Sequence, residues 1–254
     1  MARAVKSLLT PALFSEIQEF WFLNSTAEAR VISPPENVKR WFMGGEALDK
    51  QCAEKFLPTL EALRKSGART GAEILDAAEP TEPCGWMSLL ILLDQMPRNC
   101  YRGASSAVAF NEFDPLARHV ARAAIERGLP DRNPQIRWQF AFRSWFYMPL
   151  MHSEDLADHE QALAGFRRAA ADVESLAGEH EASTADAYHA RASAVVRGDV
   201  EAATKMARTN LEFEQMHYDI VKKFGRYPHR NDALARETTA AEREYLENRG
   251  HAFG

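Results

Sequence analysis

Residues 86–103 of the chain run WMSLLILLDQMPRNCYRG. The side chains of residues 87–93 are apolar on almost every face of a helix, which predicts a helix buried on all sides. This run is less than half the length that a membrane-spanning helix requires. A second segment, WQFAFRSWFYM at residues 138–148, is aromatic on most faces, so we expect it to lie between layers of helices. Both segments indicate a core built from helices.

Helix signals extend over the whole chain. No stretch shows the sustained alternation of β-branched residues that a half-buried strand requires. Glycines that follow apolar periodic segments, such as Gly67 and Gly225, predict where helices stop. The sequence therefore predicts an all-α fold of about ten helices, joined as antiparallel pairs in a right-handed array without a strict repeat. The predicted helices span residues 11–22, 34–42, 46–65, 84–95, 115–127, 134–148, 154–177, 183–197, 199–223 and 240–248.

The predicted helix starts carry capping residues. Thr10-Pro11, Asp114-Pro115 and Asn133-Pro134 each place a capping side chain before a proline that suits the first helical turn. Residues 33–36 (SPPE) and 239–242 (TAAE) have the spacing of a capping box, in which the hydroxyl and the glutamate each bond a free backbone amide. These signals set the predicted helix boundaries.

Composition and charge limit the class of protein. Of the 254 residues, 46% are hydrophobic and 26% are charged, which is typical of a globular protein. The net charge of −5 provides no basic surface to neutralise phosphates, so we expect no nucleic-acid partner. No linker rich in Pro, Gly and Ser divides the chain, so residues 1–254 are predicted to form one domain. Residues 169–205, rich in Ala and Glu, are predicted to be a peripheral helical insertion.

The cysteines and the N-terminal residues favour a cytoplasmic protein. Cys52, Cys84 and Cys100 are odd in number and far apart, which indicates neither a disulfide framework nor a zinc site. Glu16 and Glu19 soon interrupt the first apolar patch, unlike in a signal peptide. We therefore expect a soluble, cytoplasmic protein that makes no membrane contact.

Polar residues stand directly against strongly apolar ones at three predicted helix ends. At the first end, the buried helix reaches Asp94, and Pro97 is expected to stop it. Arg98 and Asn99 follow at once. This group is either a helix end whose carbonyls and charges are satisfied by arginines, or a preorganised corner for an anionic ligand.

The second end contains His152, directly before Ser153, which is expected to cap a helix whose first turn holds Glu154 and Asp155. A lone histidine here is either a hydrogen-bonded core residue or an acid–base group. The third end, GRYPHRN at residues 225–231, contains two arginines, a histidine and an asparagine beside aromatic rings. That density of donors indicates either a ligand site or a structural hydrogen-bond network.

Metal and cofactor motifs are weak or missing. Glu214 and His217 lie three residues apart on one helix face, a spacing found in half-sites of di-iron helical bundles. Asp155 and His159 are the nearest second pair, but the additional bridging glutamates are lacking, so no metal site is predicted. The chain also lacks the nucleophile-elbow, phosphate-loop, dinucleotide-binding and HExxH motifs. The sequence therefore leaves both the cofactor and the question of whether the protein is an enzyme open.

Six distinctive segments follow one another along nearly the whole chain: EFWF (19–22), KRWF (39–42), LLDQMPRN (92–99), FDPLA (113–117), FYMPLMHSE (146–154) and FGRYPHRN (224–231). At these segments the chain resembles a known family, the bacterial and fungal domain of unknown function 924, described as tetratricopeptide-repeat-like. The resemblance implies an all-α, tetratricopeptide-like superhelical fold and no stated activity. Two features depart from the family: residues 171–205 are longer than usual, and Ala235 stands where the family tends to have glycine.

We expect the helix ends to converge on one partly buried pocket that binds a small, anionic molecule. An alternative is a protein–protein interaction scaffold without catalysis, whose concave face binds a partner. A pocket predicts that the polar residues face one cavity, whereas a scaffold predicts that they pair among themselves. The predicted acid–base residues are His152, Glu154, His217 and His229. The predicted ligand-binding residues are Asp94, Arg98, Asn99, Arg226, Arg230 and Asn231.

Overall fold

The computed structural model describes residues 2–23, 25–178 and 186–249, and these residues form helices and no strand. The all-α fold class is thereby confirmed. Within these three ranges, no helix is long and apolar enough to cross a membrane. The described residues form more helical segments than the predicted number of about ten, because long predicted helices are divided and several short ones were not anticipated.

The α-helices are numbered in chain order. Those of the first half are α1 (Ala2–Leu8), α2 (Pro11–Phe22), α3 (Pro35–Met43), α4 (Gly45–Ser66), α5 (Gly71–Ala78), α6 (Pro83–Leu90), α7 (Met96–Cys100) and α8 (Asp114–Glu126). Those of the second half are α9 (Leu129–Arg132), α10 (Pro134–Arg137), α11 (Phe140–Arg143), α12 (Met148–Met151), α13 (Leu156–Gly178), α14 (Ala187–Gly198), α15 (Val200–Phe224) and α16 (Ala240–Arg249). The predicted start of α14 at residues 183–185 lies outside the described residues.

The buried helix does not stop at Pro97, so that prediction is wrong. A π-helical turn, Ile91–Gln95, joins α6 to α7 without a break. The Met96 amide bonds to the carbonyl of Ile91, five residues earlier. Proline has no N–H, and its ring pushes away the carbonyl four residues before it. Widening the helix by one residue accommodates the ring, and such π turns are frequent at functional sites.

A second π-helical turn, Ala109–Phe113, precedes Pro115 in the same way. The amide of Asp114 bonds to the carbonyl of Ala109, and the backbone of Asp114 is already helical, with φ −55° and ψ −43°. Asp114 therefore lies inside a helix, and the predicted N-cap at this residue is wrong. Its carboxylate is left to bind other side chains.

The other predicted caps can be compared with the observed helix starts. Thr10, Asn133 and Thr239 are confirmed, because each side chain accepts a backbone N–H of the following turn. The cap predicted at Ser33 is wrong, because α3 follows Pro34 with no side-chain bond. Local capping chemistry thus sets three of these four boundaries.

The predicted helix 134–148 is divided into α10, α11 and a 3-10 turn, and α12 follows. Gln139 interrupts it with φ −109° and ψ 80°. The division turns large rings inward: the ring of Trp145 lies 5.0 Å from that of Trp41 and 5.5 Å from that of Trp21. Edge-to-face contacts of this kind stabilise an aromatic core.

Helices α13 and α15 lie antiparallel, and α14 packs against both. Their outer halves enclose a small hydrophobic cluster that is separate from the main core. Three of its eight buried side chains are alanines, which bury little apolar area each. Three statements stay predictions: residues 169–205 form a peripheral insertion, residues 1–254 form one domain, and the helices form a tetratricopeptide-like superhelix. The cluster consists of Val31, Phe140, Val173, Leu176, Ala192, Val196, Ala203 and Ala207.

Candidate functional site

Residues from the three helix ends are in direct contact. Asp94 belongs to the first π turn, His152 follows α12, and Arg230 ends a 3-10 turn after α15. Asp94 Oδ1 lies 2.8 Å from His152 Nδ1. Arg230 Nη2 donates to the backbone carbonyl of His152 at 3.0 Å. The fold therefore brings together polar residues that are far apart in the sequence.

Asp94 is a buried, ionised carboxylate. Its side chain accepts hydrogen bonds from Gln95 Nε2 at 2.6 Å and from His152, and Arg98 Nη1 lies 3.3 Å away. Burial disfavours the charged form, but the positive charge of Arg98 and the contact with His152 prevail and lower the pKa of Asp94 to about 2. Asp94 therefore carries a negative charge at neutral pH.

Arg98 lies between two aspartates. Its Nη1 donates to the carbonyl of Asp94 at 2.8 Å and to Asp114 Oδ1 at 2.7 Å, and its Nη2 donates to Asp114 Oδ2 at 3.1 Å. A guanidinium has five N–H groups, so these bonds leave two donors without a partner among the described residues. Asp114 also lies 3.4 Å from Arg230 Nη1. Two arginines and two aspartates thus form a charge-balanced cluster.

Asp114 was not predicted as a site residue. The Asp-Pro pair was interpreted as a helix cap, and nothing in the local sequence shows that a π turn places Asp114 inside a helix. The order Asp94, Arg98 and Asp114 is nevertheless informative, since two acids flank an arginine and each acid precedes a proline by one or three residues. In the structure each of these acids lies at a π turn shortly before a proline, and π turns are frequent at functional sites.

His152 is oriented by Asp94. Because the carboxylate can only accept, His152 Nδ1 donates and Nε2 carries the lone pair. This is the arrangement in which a carboxylate holds a general-base histidine. Burial, together with the charge of Arg98, lowers the pKa of His152. Within the described residues, no serine, threonine or cysteine side chain is hydrogen-bonded to this ring. The pair can accept a proton, but none of these side chains is placed to act with it as a nucleophile.

His217 packs beside His152, with ring centroids 6.5 Å apart. Its Nδ1 donates to the backbone carbonyl of Phe213 at 2.7 Å. Burial lowers the pKa of His217 to about 3, so the ring is neutral at pH 7. His217 also packs against Tyr227 at 5.8 Å. These contacts give His217 a packing role in the cluster.

A cleft of about 570 Å³ lies beside the charge-balanced cluster. Two segments line it, residues 98–110 and 229–233, each of which follows one of the predicted helix ends. Arg98 and His229 contribute polar groups, and Phe110 contributes an apolar wall. Pockets for small molecules have volumes of roughly 300–1,000 Å³ and combine apolar walls with a few convergent polar groups. The cleft has that size and composition.

His229, one of the residues that line this cleft, has an unsatisfied ring nitrogen. Its Nε2 is buried and has no hydrogen-bond partner among the described residues. Burial, reinforced by the charge of Arg230, lowers the pKa of His229 to about 3, so the ring is neutral. Arg230 Nε is likewise buried without a partner among those residues. A buried polar group without a hydrogen bond costs about 1–3 kcal/mol, so each such group needs an explanation.

Other predicted site residues are engaged locally. Glu154 accepts from the Tyr227 amide at 2.8 Å and from Arg236 Nη1 at 2.7 Å, so it ties the turn after α15 to the start of α13. Its expected place in a first helical turn is wrong, because α13 begins at Leu156. The three remaining predicted residues also donate hydrogen bonds: Arg226 to Glu242, Asn99 to the carbonyl of Gln95, and Asn231 to Thr238.

The face carrying Glu214 and His217 contains a proton-sharing pair. Glu214 Oε1 lies 2.7 Å from His159 Nδ1, and both side chains are fully buried. His159 Nε2 lies 2.8 Å from the carbonyl of Ser153, so Nε2 must donate. One further proton is therefore shared between Glu214 and Nδ1, and burial raises the pKa of Glu214 to about 7. In the part of the chain that the structure describes, no three His, Cys, Asp or Glu side chains form a group that could hold a metal.

Fold and site together define an all-helical protein whose helix ends enclose an ion-pair cluster beside a cleft. The chain belongs to a family of bacterial proteins of unknown function (DUF924), whose sequence profile matches residues 17–250. It is also similar to a solved structure, a protein of unknown function from Agrobacterium tumefaciens. The two chains are 30% identical with a TM-score of 0.58, and the match covers 93% of this chain and 97% of the other. No curated protein matches the chain.

Proposed function

We propose that the protein binds a small molecule through a carboxylate or similar anionic group in the cleft beside Arg98 and His229. The observation that carries this proposal is the buried, unpartnered Nε2 of His229, a residue that lines the cleft. In a folded protein such an atom is normally paired with protein, water or ligand. In the neutral tautomer that carries the proton on Nε2, a ligand oxygen that accepts from this N–H would supply the missing bond.

The surrounding donors favour an acceptor group on the ligand. Arg98 lines the same cleft and has two N–H groups left over from its bonds to Asp94 and Asp114. Guanidinium groups bind carboxylates with short, charge-assisted hydrogen bonds. Because the aspartates hold Arg98 in place, a ligand would not have to order this side chain on binding.

Binding is better supported than proton transfer in this cleft. A general base works best when its pKa is near the operating pH. His229 has a pKa of about 3, which makes it a weak base. His152 and Asp94 have a more suitable arrangement, but His152 is not among the residues that line the cleft. The proposal therefore assigns His229 to ligand contact.

The scaffold alternative requires the polar residues to pair among themselves. Asp94, Arg98 and Arg230 form ion pairs, as this alternative requires. Three polar atoms nearby are nevertheless buried without a partner among the described residues: Arg230 Nε, Asn231 Oδ1 and His229 Nε2. Of the three residues, His229 lines the cleft, and this favours a ligand site.

Thermal unfolding with a set of small carboxylates tests the proposal. A carboxylate at about 100 times its Kd should add ~2.7 kcal/mol of stability, or about 5–10 °C in Tm for a chain of this size. His229→Phe keeps the ring shape but removes Nε2, so it should abolish the shift. His229→Gln places an amide near the position of Nε2 and should retain part of it. The proposal fails if no carboxylate raises the Tm, or if His229→Phe responds like the wild type.

A further inference from the structure

Asp232 is an acidic residue that lines the cleft and forms no ion pair with a described residue. Its side chain is exposed, and the described residues give it no hydrogen bond or ion pair. Arg102, also at the cleft, is already paired with Asp49 at 2.8 and 2.9 Å. Since the charges of the inner cluster also balance, Asp232 leaves the cleft with one uncompensated negative charge.

This charge distribution disfavours a simple anion. A ligand carboxylate would find hydrogen-bond donors at Arg98 and His229, but it would also enter the field of Asp232. A like charge within a few ångströms is repulsive, and because Asp232 is exposed this repulsion is modest and is strongest at low ionic strength. A ligand that also carries a positive group would convert this repulsion into an attraction.

The local backbone places His229 and Asp232 close together. Pro228–Arg230 is a 3-10 turn, and the helical bonding continues, with the Asn231 amide bonded to the carbonyl of Pro228 and the Leu234 amide to that of Arg230. His229 and Asp232 are three residues apart in this turn. Residues at that spacing lie on one side of a helical turn, with Cβ atoms about 5–6 Å apart. A short ligand can therefore reach both side chains.

We propose that the cleft takes amino-carboxylate zwitterions, with the carboxylate at Arg98 and His229 and the ammonium group at Asp232. This inference rests on the proposed function and adds a specificity-determining residue to it. Ala109 and Phe110 also line the cleft, and they provide an apolar wall for the methylene groups that join the two charges.

Three matched probes test the proposal: 5-aminopentanoate, pentanoate and pentylamine, titrated by ligand-observed NMR at low ionic strength. An exposed ion pair contributes up to about 1 kcal/mol, or about fivefold in Kd. The wild type should therefore bind 5-aminopentanoate about fivefold more tightly than pentanoate, and pentylamine most weakly. Asp232→Asn should remove this preference without weakening pentanoate. Asp76→Asn, at an exposed position in α5, is the matched control and should keep it.

The outcomes separate this inference from the proposed function. Equal affinity of the wild type for pentanoate and 5-aminopentanoate overturns the role of Asp232 and leaves carboxylate binding intact. The same holds if Asp232→Asn keeps the fivefold preference. Pentylamine binding as tightly as 5-aminopentanoate overturns the assignment of the two ends. If neither carboxylate binds, the proposed function and this inference fall together.

Discussion

Replacing Asp114 by alanine should strongly destabilise the fold, because this carboxylate serves two guanidinium groups. It accepts hydrogen bonds of 2.7 and 3.1 Å from Arg98 and lies 3.4 Å from Arg230 Nη1. The side chains of Asp114, Arg98 and Arg230 are only 13%, 10% and 7% exposed, so water cannot readily replace the lost partner. Removing one member of a buried ion pair costs about 3–5 kcal/mol. Arg98 keeps Asp94, whereas Arg230 keeps no carboxylate among the described residues, so we expect a loss of about 4 kcal/mol.

Urea unfolding followed by circular dichroism measures this loss. In thermal unfolding the same change corresponds to a fall in Tm of about 8–16 °C for a chain of this size. The exposed Asp76→Ala in α5 is the matched control and should change stability by less than about 0.5 kcal/mol. Adding Arg230→Met to Asp114→Ala should restore part of the stability, because the unpaired buried charge is then removed. A loss below about 1 kcal/mol for Asp114→Ala would refute the ion-pair reasoning.

Three further substitutions test other parts of the account. Burial raises the pKa of Glu214 in the folded protein from 4.5 to about 7. The unfolded chain therefore loses this proton at a lower pH than the folded one, and the free energy of unfolding should fall as the pH rises from 4.5 to about 7. Glu214→Gln keeps a donor to His159 and should flatten this pH dependence in urea titrations at several pH values; an unchanged slope contradicts the shared proton. Gly165→Ala should lower stability by about 1–3 kcal/mol, because a Cβ there would overlap the Tyr147 ring, and a neutral result in thermal unfolding would argue against that packing. Thr70→Ala removes the capping box of α5 and should lower the free energy of unfolding by about 1 kcal/mol in the same assay. An unchanged stability would contradict the cap.

The sequence predicts long helices well where local signals act alone. α2 begins and ends where predicted, and α4 and α15 differ by about one residue at each end, because caps, glycine stops and apolar periodicity are all local. Helix α5 was not predicted, although Thr70 and Glu73 have the capping-box spacing that indicates a helix start. The π turns could not be predicted, because a proline stops an isolated helix and is tolerated only where tertiary packing holds the widened turn.

The candidate site was predictable only in part. Polar residues beside apolar runs single out Asp94, Arg98 and His152 in the sequence, and the fold brings these three side chains into contact. The roles within that region depend on distances that the sequence does not contain. The sequence predicts Asp114 to be a cap, and Asp232 is not among the predicted site residues. An unsatisfied nitrogen, such as Nε2 of His229, is visible only when every neighbouring donor and acceptor is in place.

Side-chain ¹⁵N NMR of His229 during a titration with pentanoate tests the central claim most directly. The claim predicts a saturable shift of Nε2 and a ring that stays neutral down to about pH 5, because its pKa is about 3. The exposed His119 in α8 should not shift. The account is contradicted if pentanoate raises the Tm while Nε2 of His229 does not shift, or if this ring titrates near the pKa of about 6.5 typical of a solvated histidine.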